Sequence, residues 1–157
     1  MTRPAVSGRI AACASCLFGL EGPLGNELRH MGMENVSPEN GRVLFETDPC
    51  GLARANICSR FAERILLVLG EFRAASFDEL FEGVRALPLE DWMPRDAAFP
   101  VEGWSLESAL HSVPDCQRII KKAAAARLGA KYGLGWLPES GNEYKLRFSI
   151  YKDACRI

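Results

Sequence analysis

Apolar and polar positions change period several times along this chain, and each change marks an element. Arg9 to Ser15 is a short apolar run that reads as a strand. From Gly19 to Met31 the apolar positions Leu20, Leu24, Leu28 and Met31 fall at helical spacing, loosened by Gly22, Pro23 and Gly25. Asn35 to Pro38 and Arg42 to Glu46 flank Asn40-Gly41, two residues that tolerate positive φ and so predict a hairpin. Asp48-Pro49 opens a second helix with Leu52, Asn56, Ile57 and Phe61 spaced along it. A strand is expected over Arg64 to Phe72, with the unbroken apolar run Ile65 to Leu69 buried within it.

That order, β-α-β-β-α and then a strand, is the order of a ferredoxin-like α+β unit. A second block begins near Ala74. Ser76-Phe-Asp-Glu79 forms a capping box ahead of Leu80, Phe81, Val84 and Leu87 on one helical face. Pro88, Trp92, Met93 and Pro94 predict a turn, Phe99 to Val101 a short strand, and Ser105 to His111 a connection. Tyr144, Leu146, Phe148 and Ile150 alternate with Lys145, Arg147 and Ser149, the pattern of a half-buried strand. Ala154 to Ile157 reads as the opening of one more strand. The expected division is 1–64 and 65–157.

The stretch Ser112 to Lys131 organises the second block. Ser112 reads as an N-cap, Pro114 sits in the first turn, and Asp115 faces the free N–H groups of the helix start. Cys116, Ile119, Ile120, Ala123, Ala124 and Leu128 recur at helical spacing and are expected to pack inward. Arg118, Lys121, Lys122 and Ala125 form a separate stripe with no acid expected to face it, and the four alanines leave room for another body to approach. A solvated face is the plain reading of such a stripe.

Charge distribution changes that picture. The formal net charge of the 157 residues is −1. Residues 1–111 hold 10 Arg, no Lys and 16 acids, a balance of −6, whereas 112–157 hold 9 Lys plus Arg and 4 acids, a balance of +5. Such asymmetry suggests a polyanionic partner for the second end. No run of about 18 apolar residues exists, so no membrane span is expected. The N-terminus lacks a basic-then-apolar leader, and a cytoplasmic protein is the expectation.

The six cysteines (Cys13, Cys16, Cys50, Cys58, Cys116 and Cys155) include one C-x-x-C, at Cys13 and Cys16. A zinc site wants a second close pair, and His30 and His111 have no metal-like spacing. Burial as small hydrophobes is favoured over redox or metal use. No P-loop, G-x-S-x-G or H-E-x-x-H is present.

CLFGLEGPLGNEL at 16–28, ENGRVLFETD at 39–48, GEFRAASFDELFEGVRALPLEDWMP at 70–94 and HSVPDCQRIIKKA at 111–123 carry a resemblance. They are similar to the N-terminal part of THUMP-domain class I S-adenosylmethionine-dependent RNA methyltransferases, and most like the bacterial large-subunit rRNA guanine-N2 group. The resemblance implies a ferredoxin-like domain followed by an α/β THUMP domain. It also implies that the methyltransferase domain, with its S-adenosylmethionine site, lies outside this chain, so that the chain is inactive alone and carries no cofactor. Structured RNA, most of all rRNA, is the implied partner, with no membrane. On that reading Arg118, Lys121 and Lys122 contact RNA, with Arg127, Lys131, Lys145 and Arg147 as supporting cations, and Trp104 and Trp136 are candidates to stack on bases. A protein-interaction module and a small cysteine-based redox or metal protein are the alternatives.

Overall fold

Residues 8–157 are described by the computed structural model. They fall into two compact units that divide between Val68 and Leu69. The leader-free N-terminus expected above lies partly on residues 1–7, outside the described part. Among the described residues no helix is long and apolar enough to cross a membrane.

The first unit runs β1 (Ile10–Ser15), α1 (Glu21–His30), β2 (Glu34–Glu39), β3 (Arg42–Thr47), α2 (Pro49–Cys58) and β4 (Arg64–Leu67). Its antiparallel sheet has the order β2-β3-β1-β4, the ferredoxin-like arrangement. Local chemistry explains the boundaries. The Asn40-Gly41 turn joins Glu39 to its register partner Arg42, with Gly41 at φ 70. The Asp48 side chain caps α2 by accepting from the Gly51 N–H at 2.6 Å, and Pro49 follows at the first turn. Ala12, Ala14, Leu24, Leu28, Val43, Phe45 and Ala55 form the core.

The second unit runs β5 (Glu71–Arg73), α3 (Phe77–Ala86), a 3-10 turn at Leu89–Asp91, β6 (Val101–Leu106), α4 (Val113–Tyr132), β7 (Leu146–Tyr151) and β8 (Ala154–Arg156). The sheet order is β5-β8-β7-β6, with β6 and β7 parallel and α4 as the crossover between them. Leu146, Phe148, Ile150 and Cys155 point into the core, where α3 and α4 cover the sheet with Leu80, Val84, Ile120 and Leu128. Glu102, Trp104, Leu106 and Tyr151 stand on the opposite, uncovered face.

Five expectations need correction. The strand over 64–72 is two strands. The Val68 N–H bonds the Ala11 carbonyl in the first unit, the Leu69 N–H bonds the Ile157 carbonyl in the second, and Gly70 separates them. β4 pairs with β1, so the units divide after it rather than at 64/65, and the run Ile65–Leu69 is half-buried rather than a buried strand, with only Ile65–Leu67 in β4, at the edge of its sheet. β6 begins at Val101 and continues to Leu106, beyond the short strand expected at 99–101. β8, expected as a mere opening, lies inside the sheet between β5 and β7.

Gly103 is the tightest point of the β6–β7 pairing. A methyl group there would lie 2.1 Å from the Phe148 carbonyl oxygen, which is backbone and has no easy way to yield. Gly103→Ala is therefore expected to destabilise the second unit by about 1–3 kcal/mol. Calorimetric melting checks this against Gly135→Ala, where nothing lies within 4 Å and stability is expected to hold.

Candidate nucleic-acid interface

Burial fixes how α4 is turned. Cys116, Ile120, Ala123, Ala124 and Leu128 are all buried in the core. Ile120 and Leu128 alone each contribute about 1.5–3 kcal/mol by leaving water. At 3.6 residues per turn, that anchoring brings Arg118, Lys121, Lys122 and Ala125 to a groove shared with Pro100 and Val101 at the entry to β6. Pro114 and Gln117 complete the lining. The Gln117 side-chain amide donates to the Val101 carbonyl at 3.0 Å and ties helix to strand. The alanine run serves mostly the core, since Ala123 and Ala124 are buried and Ala125 alone of the four lines the groove.

The three groove cations have different surroundings. Arg118 is 79% exposed and pairs with Asp115 one turn earlier. Asp115 also accepts from the Ser112 hydroxyl at 2.5 Å, so Ser112 bonds the carboxylate instead of capping a backbone N–H. Those two contacts, Ser112 first and Arg118 second, hold the Asp115 carboxyl below its ordinary range. Lys121 is held three ways. Its Nζ donates to the Phe99 carbonyl at 3.1 Å and to Glu139 Oε2 at 2.5 Å, and it sits 3.7 Å from the centre of the Phe99 ring. Lys122 has no carboxylate within ion-pair distance among the described residues; its Nζ lies 5.8 Å from the Phe81 ring, which the Arg85 guanidinium approaches at 5.7 Å. The stripe therefore does face acids, contrary to expectation.

The four supporting cations are elsewhere. Arg127 forms a two-pronged bond with Glu90 of the 3-10 turn, at 2.8 and 2.6 Å, and Lys131 reaches the same carboxylate at 3.2 Å. Lys145 and Arg147 share Glu102 of β6, at 2.9 and 3.6 Å, on the uncovered sheet side. The seven residues thus divide into a groove set of three, a Glu90 pair and a Glu102 pair. Trp104 and Trp136 are both exposed, Trp136 at 76%. Sequence reasoning missed Glu139, Phe99, Phe81 and Arg85. Phe81 and Arg85 come from α3, Phe99 from the stretch before β6 and Glu139 from the loop after α4, so no spacing along α4 signals them.

Cys13 and Cys16 are buried, as expected for the C-x-x-C pair, and so are Cys116 and Cys155, whereas Cys50 and Cys58 are exposed on α2. Burial pushes the Cys155 thiol up to about 12. Among the described residues no three His, Cys, Asp or Glu side chains gather as a metal site would.

Two family models match. Residues 11–66 match the RlmL ferredoxin-like domain and residues 74–157 the THUMP domain. Over 146 residues the chain is 41% identical to the Bacillus subtilis protein YpsC, named among RNA methyltransferases; the match covers 92% of this chain and 38% of YpsC. It is 30% identical over 129 residues to the ribosomal RNA large subunit methyltransferase K/L of Pseudomonas putida, covering 82% of this chain and 18% of that one. A Listeria monocytogenes crystal structure, described as a predicted N6-adenine-specific DNA methylase, superposes with a TM-score of 0.90 at 46% identity, over 95% of this chain and 39% of that one. The chain thus spans well under half the length of these relatives.

The Glu90 carboxyl is lowered to about 2, by the Arg127 bond first and by Lys131 with it, against some cost of burial. A carboxylate depressed in the folded state stabilises above its unfolded value, about 4.3, and that contribution is lost as pH falls toward 2. With both side chains only partly exposed, about 2 kcal/mol rides on this pair at neutral pH. Glu90→Gln is expected to lower stability at pH 7 by about that amount and to flatten the loss of stability between pH 5 and 2. Urea titrations across that range check it.

Proposed function

This chain belongs to the THUMP-domain family, with an RlmL-type ferredoxin-like domain ahead of the THUMP domain, and from that premise we propose that it is the RNA-capturing front end of an RNA methyltransferase. The observation that carries the reading is the convergence of Arg118, Lys121 and Lys122 on one groove of the unit that matches the THUMP domain. Lysine and arginine side chains neutralise backbone phosphates and release condensed counterions, which gives affinity without reading bases. A groove that grips the backbone of folded RNA positions it for chemistry performed elsewhere. Large-subunit rRNA is the substrate we favour, on the name of the Pseudomonas relatives. We assign methyl transfer and S-adenosylmethionine to the part of the longer relatives that this chain does not span, and the working compartment to the cytoplasm.

Arg118 and Lys122 are the cations to change, because Lys121 is also bonded to the Phe99 carbonyl and to Glu139. Arg118→Glu with Lys122→Glu is expected to leave folding intact and to weaken binding to structured RNA about tenfold or more at low salt. The slope of log affinity against log salt is expected to become shallower by about two, one per phosphate contact. Lys152→Glu, an exposed cation outside the seven, serves as the control and is expected to change little. Unchanged affinity and slope in the double variant would move the RNA surface away from α4. Duplex DNA as competitor tests the nucleic acid that the Listeria relative's description names. Calorimetry with S-adenosylmethionine is expected to show no stoichiometric binding to this chain; micromolar binding would place the methyl donor's site within it.

A further inference from the structure

We propose that Glu139 holds, inside this chain, the place of a backbone phosphate at Lys121, so that a polyanion entering the α4 groove binds by displacing the chain's own carboxylate. The inference rests on the RNA reading of the groove and adds how that groove selects its ligand.

Lys121 is positioned without Glu139. Phe99 is fully buried, and its carbonyl and its ring both hold the ammonium group, at 3.1 Å and 3.7 Å. An ammonium has three donors, and the carbonyl takes one of them. Removing the carboxylate therefore leaves a fixed cation pointing at the groove, the preorganised state that costs least to bind.

Glu139 has the opposite character. It belongs to the loop between α4 and β7, and its backbone sits at φ 44, in the left-handed region that disfavours a residue with a Cβ. The loop does not need the carboxylate to stay in place. Leu137 is buried in the core, the Gly141 N–H bonds the Asp96 carbonyl at 2.7 Å, and the Tyr144 N–H bonds the Ala98 carbonyl at 2.7 Å. The Lys121–Glu139 pair is about one-third exposed on each side, and solvent-reachable pairs of this kind are worth little. Glu139 Oε2 also accepts from the Phe99 N–H, at a long 3.4 Å, so a phosphate oxygen that replaces the carboxylate oxygen meets that N–H as well as Lys121.

Asp115 on Arg118 repeats the arrangement, so three groove cations face two internal carboxylates. A lone phosphate gains one lysine and little else. A strand that presents several phosphates at once replaces both carboxylates and engages Lys122 as well. Competition of this kind favours long polyanions over mononucleotides and inorganic phosphate.

The test is Glu139→Gln, whose amide oxygen keeps an acceptor near the Phe99 N–H while the negative charge is gone. Binding to structured RNA is expected to tighten about two- to fivefold at low salt, roughly the value of an exposed pair. The salt slope is expected to steepen by about one. Glu139→Gly, which also relieves the left-handed backbone, is expected to tighten binding similarly and guards against misfolding of the first variant. If Lys122→Glu weakens binding while neither Glu139 variant tightens it, Glu139 is only a fastening; the proposal falls and the RNA reading stands. If the unaltered chain shows no salt-dependent RNA binding, both fall.

Discussion

The parallel pairing of β6 with β7 is the constraint on which the second unit depends. Adjacent parallel strands cannot be joined by a tight turn; the chain must be carried back across the sheet before it can re-enter in the same direction. α4 performs that return, and its 20 residues span about 30 Å. Once the helix must lie on the sheet, its apolar stripe settles the rotation, and the Gln117 bond to Val101 settles the height. The Arg127–Glu90 pair then secures the far end to the turn after α3. The groove is the remainder: the flank of a crossover helix beside the strand it has just left. Its position follows from topology, and only its lining is left to the identity of residues 118, 121 and 122.

The electrostatics of that remainder differ from what a charge count along the chain suggests. Residues 112–157 carry an excess of five positive charges, yet their cations are distributed over Asp115, Glu139, Glu90, Glu102 and Glu107. Several of these acids lie in the acidic first 111 residues, so folding brings the two halves of the charge distribution together. Lys122 is the groove cation that has no carboxylate within ion-pair distance among the described residues.

Where the sequence carried local chemistry, it was legible. The Asn40-Gly41 turn, the Asp48 and Ser76 caps and the alternation over 146–151 all rest on residues within five positions of each other, and the structure keeps them. The ferredoxin-like order followed from those signals, and the THUMP resemblance from longer stretches. Elements that depend on distant partners were read poorly. β6 carries Gly103, a weak strand former that is present because Phe148 approaches it closely. β8 follows a two-residue turn, Lys152-Asp153, in which both residues take positive φ (50 and 63) without a glycine to announce it. In the site, the stripe on α4 was legible from helical spacing. Its acidic counterpart was not, because Glu139 reaches Lys121 from eighteen positions away, across a loop with no periodic pattern.

The cysteines give this chain a built-in set of reporters. Cys50 and Cys58 lie open on α2, so a fluorophore or spin label attaches to the first unit of the native molecule and nowhere else. Cys155, deep in the second core with a thiol pushed up to about 12, has almost no reactive thiolate at neutral pH until its surroundings open. With Cys13 and Cys16 buried in one unit and Cys116 and Cys155 in the other, the order in which the buried thiols become alkylated during denaturation records whether the two units come apart together or one at a time, with no engineered label.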